Sequence, residues 1–248
     1  MTGLICWPIA RATVRERFTP LVAFWILVLV LLGLGRGATA EGAEAFTGGS
    51  SAWFALFVLI LAGGLLSDEL ESGHAQLVLL RPITRAQWVS GRFMGAAIIL
   101  GLGTTLAWAG SVAAAIARAG PGNPLLPVRF LVLPLALLPA LAWLATATAL
   151  SVVVRGWGNV AILVAAKAAW LLVRYPLPPL VPQLGLGPIV TAIDPYVGPQ
   201  DALILSDLWA SGSTLTPSIP LWDLFWLFAA WTLAIWLFNR RELARRGR

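Results

Sequence analysis

The chain has 248 residues, of which 59% are hydrophobic and only 11% are charged, and its formal net charge at pH 7 is +6. Soluble domains carry about 25% charged residues. The composition therefore excludes an ordinary soluble protein and predicts an all-α integral membrane protein, since long apolar runs in lipid become helices. The basic residues flank the apolar runs, which is typical of membrane topology and argues against a nucleic-acid partner.

The apolar runs predict a single transmembrane domain, residues 1–248, whose helices follow one another along the chain. Residues 1–17 form a basic cytoplasmic segment. The run that follows is longer than the roughly 7–15 residues of a signal-peptide core, so we expect a first membrane helix rather than a cleaved leader. Later runs also approach the roughly 20 residues that cross a bilayer. Six membrane-spanning helices are predicted, at 18–35, 51–66, 93–117, 129–154, 157–174 and 219–238.

The distribution of basic residues predicts the orientation of these helices. With six spans both termini lie on the same side, and that side holds twelve of the 17 basic residues, including those of the tail at 239–248. The other side holds four. Cytoplasmic loops of membrane proteins are enriched in Lys and Arg, so we expect both termini to be cytoplasmic. Topology and contact with anionic membrane lipid account for most of these arginines.

The loop between the second and third spans is highly charged for so apolar a chain. Asp68 and Glu71 have the spacing of a helix capping box, and Thr84 and Gln87 repeat it after Pro82. The sequence therefore predicts a short surface helix, a break at the proline and a new helix that leads into the third span. Three acids and three arginines in this loop suit the docking of a soluble partner. An amphipathic connector lying on the membrane would have the same pattern.

The same loop contains an acidic-x-acidic-x-glycine turn, a leucine-rich segment, a proline-containing break and a glycine–arginine pair. The residues are Glu69-x-Glu71-x-Gly73, then Leu77-x-Leu79-Leu80-Arg81-Pro82-Ile83-Thr84-Arg85, then Gly91-Arg92. This pattern resembles the first cytoplasmic loop of type-2 ATP-binding cassette (ABC) exporter permeases, where lysine is usual at the position of Arg92 and threonine is common at that of His74. The N-terminal segment 9–18 resembles the interfacial elbow helix that precedes the first span in that family.

The resemblance implies a transmembrane permease subunit that moves a substrate outward across the cell membrane, which would be a bacterial inner or plasma membrane. It implies that loop 67–92 carries a coupling helix that sits in a cleft of a separate cytoplasmic ATPase. That ATPase would bind ATP and Mg²⁺, and this chain would bind no cofactor. The family also has a second permease subunit, identical or different, and re-entrant or interfacial helices at 175–220. The residues that match the coupling region are Glu69, Glu71, Gly73, Arg81, Pro82 and Arg85.

The residue inventory argues against an enzyme. A phosphate-binding P-loop needs Gly-Lys-(Ser/Thr), whereas the only lysine, Lys167, lies in Ala-Ala-Lys-Ala-Ala. The single histidine, His74, excludes a His-Glu-x-x-His metal centre, so no catalytic or metal-binding residue is predicted. The alternative function is a non-transporting membrane anchor or assembly subunit, which would have the same spans and bind a similar partner.

Two features of the predicted membrane interior are candidates for a translocation path or a subunit interface. Lys167 is the only cationic residue well inside a predicted span, and ionisable residues in lipid are often functional. Snorkelling of this side chain toward the outer surface is the alternative. The third span carries small residues at a four-residue spacing, which permits close helix packing. Gly95, Gly103 and Ser111 belong to this series.

Overall fold

The computed structural model describes residues 6–39, 50–73, 80, 82–120, 126–174 and 218–246. Within these ranges every regular element is an α-helix, so the predicted all-α class is confirmed for the described part of the chain. The helices are α1 Trp7–Arg17, α2 Pro20–Thr39, α3 Ser50–Ala62, α4 Ser67–Glu71, α5 Arg85–Ala119, α6 Leu126–Val153, α7 Gly158–Arg174 and α8 Ser218–Arg246. Arg81 and nearly all of the predicted external segment, residues 175–217, lie outside the described residues.

Two of these helices are long and apolar enough to cross a membrane by themselves. They are α5, over Arg85–Arg118, and α8, over Leu221–Arg241, and the bent pair α1–α2 is a third if it counts as one span. The described apolar parts of α6 and α7 are shorter, Leu137–Val153 and Gly158–Ala169. The helices therefore have the character of a membrane protein. The six-span topology stays a prediction, although a helix covers most of every predicted run.

The bend between α1 and α2 measures 82° and has a local cause. Pro20 disfavours a helical conformation at the residue before it, so α1 ends at Arg17 and α2 begins at the proline. Thr19 Oγ1 accepts a hydrogen bond from Val22 N at 3.4 Å, as the residue that caps a helix start does. The bend lets α1, the segment predicted to be an interfacial elbow helix, pack against the beginning of α5.

Small residues let the neighbours of α5 approach it closely, and this long helix is central to the fold. The most extensive contacts of α2 are with α5. A Cβ built on Gly33 would lie only 2.2 Å from the carbonyl oxygen of Ala107, so the two backbones touch there. The main apolar cluster gathers side chains of α2, α3, α5, α6 and α7. Its largest fully buried members are Leu29, Phe57, Leu61, Leu65, Ile99, Leu100 and Leu144.

A second apolar cluster joins α4 to the first turns of α5 and to the ends of α6 and α8. The rings of Trp88 and Phe238 stack with their centroids 5.0 Å apart, and both side chains are fully buried. Leu66 and Leu70 pack into the same cluster, which anchors α4 on the other helices. Since Ser67, Glu69 and Leu70 are all buried, α4 presents one face to the helix bundle and only the other to solvent.

The two predicted capping boxes have different outcomes. Thr84 Oγ1 accepts a hydrogen bond from Gln87 N, and Gln87 Oε1 accepts one from Thr84 N, so the box that starts α5 is confirmed. The box predicted from Asp68 and Glu71 is wrong, because α4 starts after Leu66 and no side chain caps it. Asp68 instead lies in the first turn of α4, where a carboxylate is favoured by the helix dipole.

Candidate functional site: a charged junction between the N-terminal helix and the loop

Five charged side chains from α1, α4 and α5 meet at the end of the helices that the sequence predicts to be cytoplasmic. We call this cluster the charged junction. It is built from the C-terminal end of α1, from α4 and from the third turn of α5. Its members are Glu16, Arg17, Asp68, Glu69 and Arg92.

Arg92 is the centre of the charged junction. Its side chain pairs with Glu69 of α4 through Nη2, and its Nη1 lies 2.6 Å from Glu16 Oε2 of α1. The same Nη1 donates a hydrogen bond of 3.1 Å to Thr13 Oγ1. Arg92 and Glu69 are each only 6% exposed, so this is a buried ion pair. Removing one partner of such a pair leaves an uncompensated charge. Arg92 therefore fixes α4 to both α1 and α5.

Arg17 holds the other side of α4 by binding the turn between α3 and α4. Its Nη1 donates to the carbonyl of Gly63 at 2.6 Å, and its Nη2 donates to that of Gly64 at 3.0 Å. These two carbonyls directly follow the last residue of α3, Ala62, and the negative end of the helix dipole favours a guanidinium beside them. Asp68 Oδ2 lies 3.8 Å from Nη2. Burial lowers the pKa of Arg17, and the nearby Glu16 and Asp68 oppose that shift.

The sharp turn between α3 and α4 depends on Gly64. This residue has a φ of +63°, which L side chains rarely adopt. A Cβ at Gly64 would also lie 2.2 Å from Asp68 Oδ2. The missing side chain thus lets the carboxylate of Asp68 fold back over the turn toward Arg17.

The turn between α6 and α7 closes the charged junction from the other side. Asn159 is fully buried, and its Nδ2 donates to the carbonyls of Ala62 at 2.9 Å and Ala147 at 3.1 Å. The amide thus ties the end of α3 to α6. Ser67 Oγ donates to the carbonyl of Gly156 at 3.3 Å. Together these bonds connect the loop to the fourth and fifth predicted spans as well as to the third.

The structure separates the two predicted coupling acids. Glu69 points inward to Arg92, whereas Glu71 is exposed and its Oε1 lies 3.8 Å from Arg155 Nε. That outer pair is largely solvated, with 79% of the Arg155 side chain exposed, so its contribution to stability is small. Gly73, two residues further on, has a φ of +76° with nothing near its missing Cβ.

The remaining candidates in the loop lie at the start of α5. Pro82 is exposed, and Arg85 is half-buried as the first residue of the helix. Leu80 is 83% exposed. Arg81 lies outside the described residues. The exposed side of the loop therefore combines an acid, an apolar side chain, a proline and an arginine.

The small residues of α5 meet helices of the same chain. Gly95 lies against α1, where a Cβ would be 2.5 Å from Thr13 Cβ. Gly103 faces the ring of Phe57, with Cε1 at 2.8 Å from the Cβ position. Ser111 is buried, 2% exposed, one turn beyond the contact of Ala107 with α2. This series therefore forms the packing seam along which α1, α2 and α3 contact α5.

Sequence reasoning missed several residues of the charged junction. In the sequence, Glu16 and Arg17 stand out only as part of the charged N-terminal segment, and no pattern assigns a role to Asn159, which lies outside the charged junction. A polar amide two residues after a Gly-Trp turn, at the start of an apolar helix, is the signal that could have identified Asn159. Asp223 was also missed, although it is an acid near the start of the last predicted span and is fully buried. The part of the chain that the structure describes holds no cluster of three His, Cys, Asp or Glu side chains suited to a metal ion.

Comparisons with known proteins do not assign this chain to a family. No model of a protein family matches the sequence, and no curated protein matches it either. A family assignment is therefore a proposal that depends on the loop residues and on their arrangement.

Proposed function

We propose that this chain is the transmembrane permease subunit of an ABC transporter and moves its substrate outward with ATP hydrolysed by a separate subunit. Mg²⁺ and ATP bind that partner, which docks on the exposed side of loop 67–92. A second permease subunit, identical or different, completes the transporter in the cell membrane, with both termini in the cytoplasm. One observation supports the proposal: the loop is attached to α1 and α5 through the charged junction, whose central pair is buried, while a charged and apolar side faces outward.

The two acids of α4 have different tasks in this proposal. Residues two apart on a helix face different directions, so Glu69 and Glu71 divide between the inside and the outside. Glu69 transmits force, because its ion pair with Arg92 joins α4 to the long helix α5. Glu71 binds a basic surface of the ATPase. Its exposed contact with Arg155 is weak enough to be exchanged for a partner residue at little cost.

The proposed mechanism is rigid-body rocking of the helices. When two ATPase subunits close on ATP, they pull α4, and Arg92 passes the movement to α5 and, through Glu16, to α1. A soft connection would absorb this displacement within the loop. The hydrogen bonds of Arg17, Ser67 and Asn159 make the connection stiff, because they tie α4, the turn before it and the end of α3 to neighbouring parts of the chain.

We predict that Glu71→Ala and Arg85→Ala each reduce recovery of the ATPase with the permease by about tenfold or more, since a lost charge-assisted contact costs about 1.5–3 kcal/mol. ATP hydrolysis stimulated by the permease falls in parallel. The measurement is affinity purification of the tagged chain from its native membranes, followed by quantification of the co-purified ATPase and its activity.

Arg118→Ala is the matched control, because Arg118 is an exposed arginine in the last turn of the same helix that Arg85 begins. It should leave ATPase recovery unchanged. Wild-type recovery with Glu71→Ala and Arg85→Ala contradicts the docking surface, and the absence of any ATPase with the wild-type chain contradicts the function itself. An ATPase that co-purifies but drives no substrate movement would indicate the anchor subunit instead.

A further inference from the structure

A groove between α3, α6 and α7 lies apart from the charged junction. Its volume is about 260 Å³. Exposed Ala55, Val164 and Ala168 form its rim, while buried Val58 and Leu163 form its floor. The lining residues are Ala55, Val58, Leu59, Trp143, Leu163, Val164, Lys167 and Ala168.

The lining is apolar except at one end, where a cation sits beside an aromatic ring. The ammonium of Lys167 lies 5.7 Å from the centroid of the Trp143 ring, within the range of a cation–π contact. The groove thus combines an apolar trough with a positive charge, which complements a molecule that has an alkyl chain and an acidic group.

The position of Lys167 along α7 places its charge deep in the predicted fifth span. The helix begins at Gly158, so at 1.5 Å per residue Lys167 lies about 14 Å from that end. The hydrocarbon core of a bilayer is about 30 Å thick. The head group of a resting membrane lipid lies at the bilayer surface. An acidic group beside Lys167 would therefore belong to a molecule in passage, or to one that enters sideways between the helices.

We propose that this groove binds a single-chain anionic amphiphile, with its alkyl chain along α3 and α7 and its acidic group on the ammonium of Lys167. The groove volume of about 260 Å³ is smaller than the roughly 300–1,000 Å³ of pockets for drug-sized ligands, which favours a ligand with one alkyl chain over one with two. The ligand enters through the open rim from the lipid side. If the proposed transport function holds, this ligand also defines the substrate class, and that second step depends on the proposed function.

Photolabelling of the purified chain in lipid nanodiscs tests the groove directly. The probes are a fatty acid with a photoreactive diazirine in mid-chain and the neutral alcohol of the same chain length. We expect the acid to label peptides around residues 55–59 and 163–168. Lys167→Met should reduce labelling by the acid about tenfold, as the loss of a charge-assisted contact does, and should leave labelling by the alcohol unchanged. Lys167→Arg should retain labelling by the acid.

Ala168→Trp serves as a second variant, because it fills the rim while keeping the charge, and it should reduce labelling by both probes. The proposal is overturned if the acid labels wild type and Lys167→Met equally, or if the labelling is spread over the lipid-exposed helices. Either result would mean that the probe contacts the protein only as an ordinary component of the bilayer. The readout requires no ATPase. Charge-dependent labelling in a chain that recruits no ATPase would therefore retain the groove and reject only its role in transport.

Discussion

Replacing Arg92 with methionine is expected to lower the free energy of unfolding by about 3–5 kcal/mol, the usual cost of leaving one charge of a buried pair without its partner. Glu69 would remain inside the protein, 6% exposed, without the guanidinium that neutralises it. Glu16 suffers less, because half of its side chain is in contact with solvent. The main loss is therefore the attachment of α4 to α5.

A double variant separates charge from packing at this site. Glu69→Leu combined with Arg92→Met removes both buried charges and keeps most of the side-chain volume. Replacing a whole buried pair by apolar groups is often neutral or stabilising, so the double variant should recover most of the stability that Arg92→Met loses. Arg155→Gln removes the cation of the exposed pair with Glu71 and should change the free energy of unfolding by less than about 1 kcal/mol.

Thermal unfolding in detergent, followed by the fluorescence of the 13 tryptophans, measures these differences. A loss of 3–5 kcal/mol corresponds to a decrease in Tm of roughly 6–20 °C for a chain of this length. If Arg92→Met were as stable as Arg155→Gln, the buried pair would not hold the loop. If the double variant were as unstable as Arg92→Met, packing rather than charge would explain the loss.

Gly33→Ala is expected to have the second large effect, because it separates α2 from α5. The new Cβ would lie 2.2 Å from the carbonyl oxygen of Ala107, and a backbone atom cannot rotate away from the clash. The helices must therefore shift, at the cost of about 1–3 kcal/mol that overpacking a core usually has. Alanine is favoured over glycine in a helix by about 1 kcal/mol, which offsets only part of this cost.

Gly35→Ala is the matched control, since Gly35 lies two residues further along α2 and has nothing within 4 Å of its Cβ position. It should be neutral or stabilising by up to about 1 kcal/mol, because only the gain in helix propensity applies. The test is the sign of the Tm change in the two variants under the same conditions. Equal Tm values would contradict the close contact between α2 and α5.

Local chemistry made much of the helix content predictable from the sequence. An apolar run in lipid must satisfy its own backbone, so each predicted span coincides largely with a helix. The Thr84–Gln87 capping box needs only residues three apart, and it forms as predicted. The Asp68–Glu71 box has the same spacing and fails, because Arg17 competes for Asp68 and Gly64 reverses the chain just before it.

The sequence by itself determined the class of this protein and the position of its charged loop, because hydrophobicity, charge bias and capping act over a few neighbouring residues. Only the tertiary structure decided what the charges do. Glu69 and Glu71 look alike in the sequence, yet one is buried against Arg92 and the other is exposed. Arg17 and Arg92 look like topology signals, yet both bind residues of distant helices. Such contacts depend on which helices come together, and no local pattern encodes that choice.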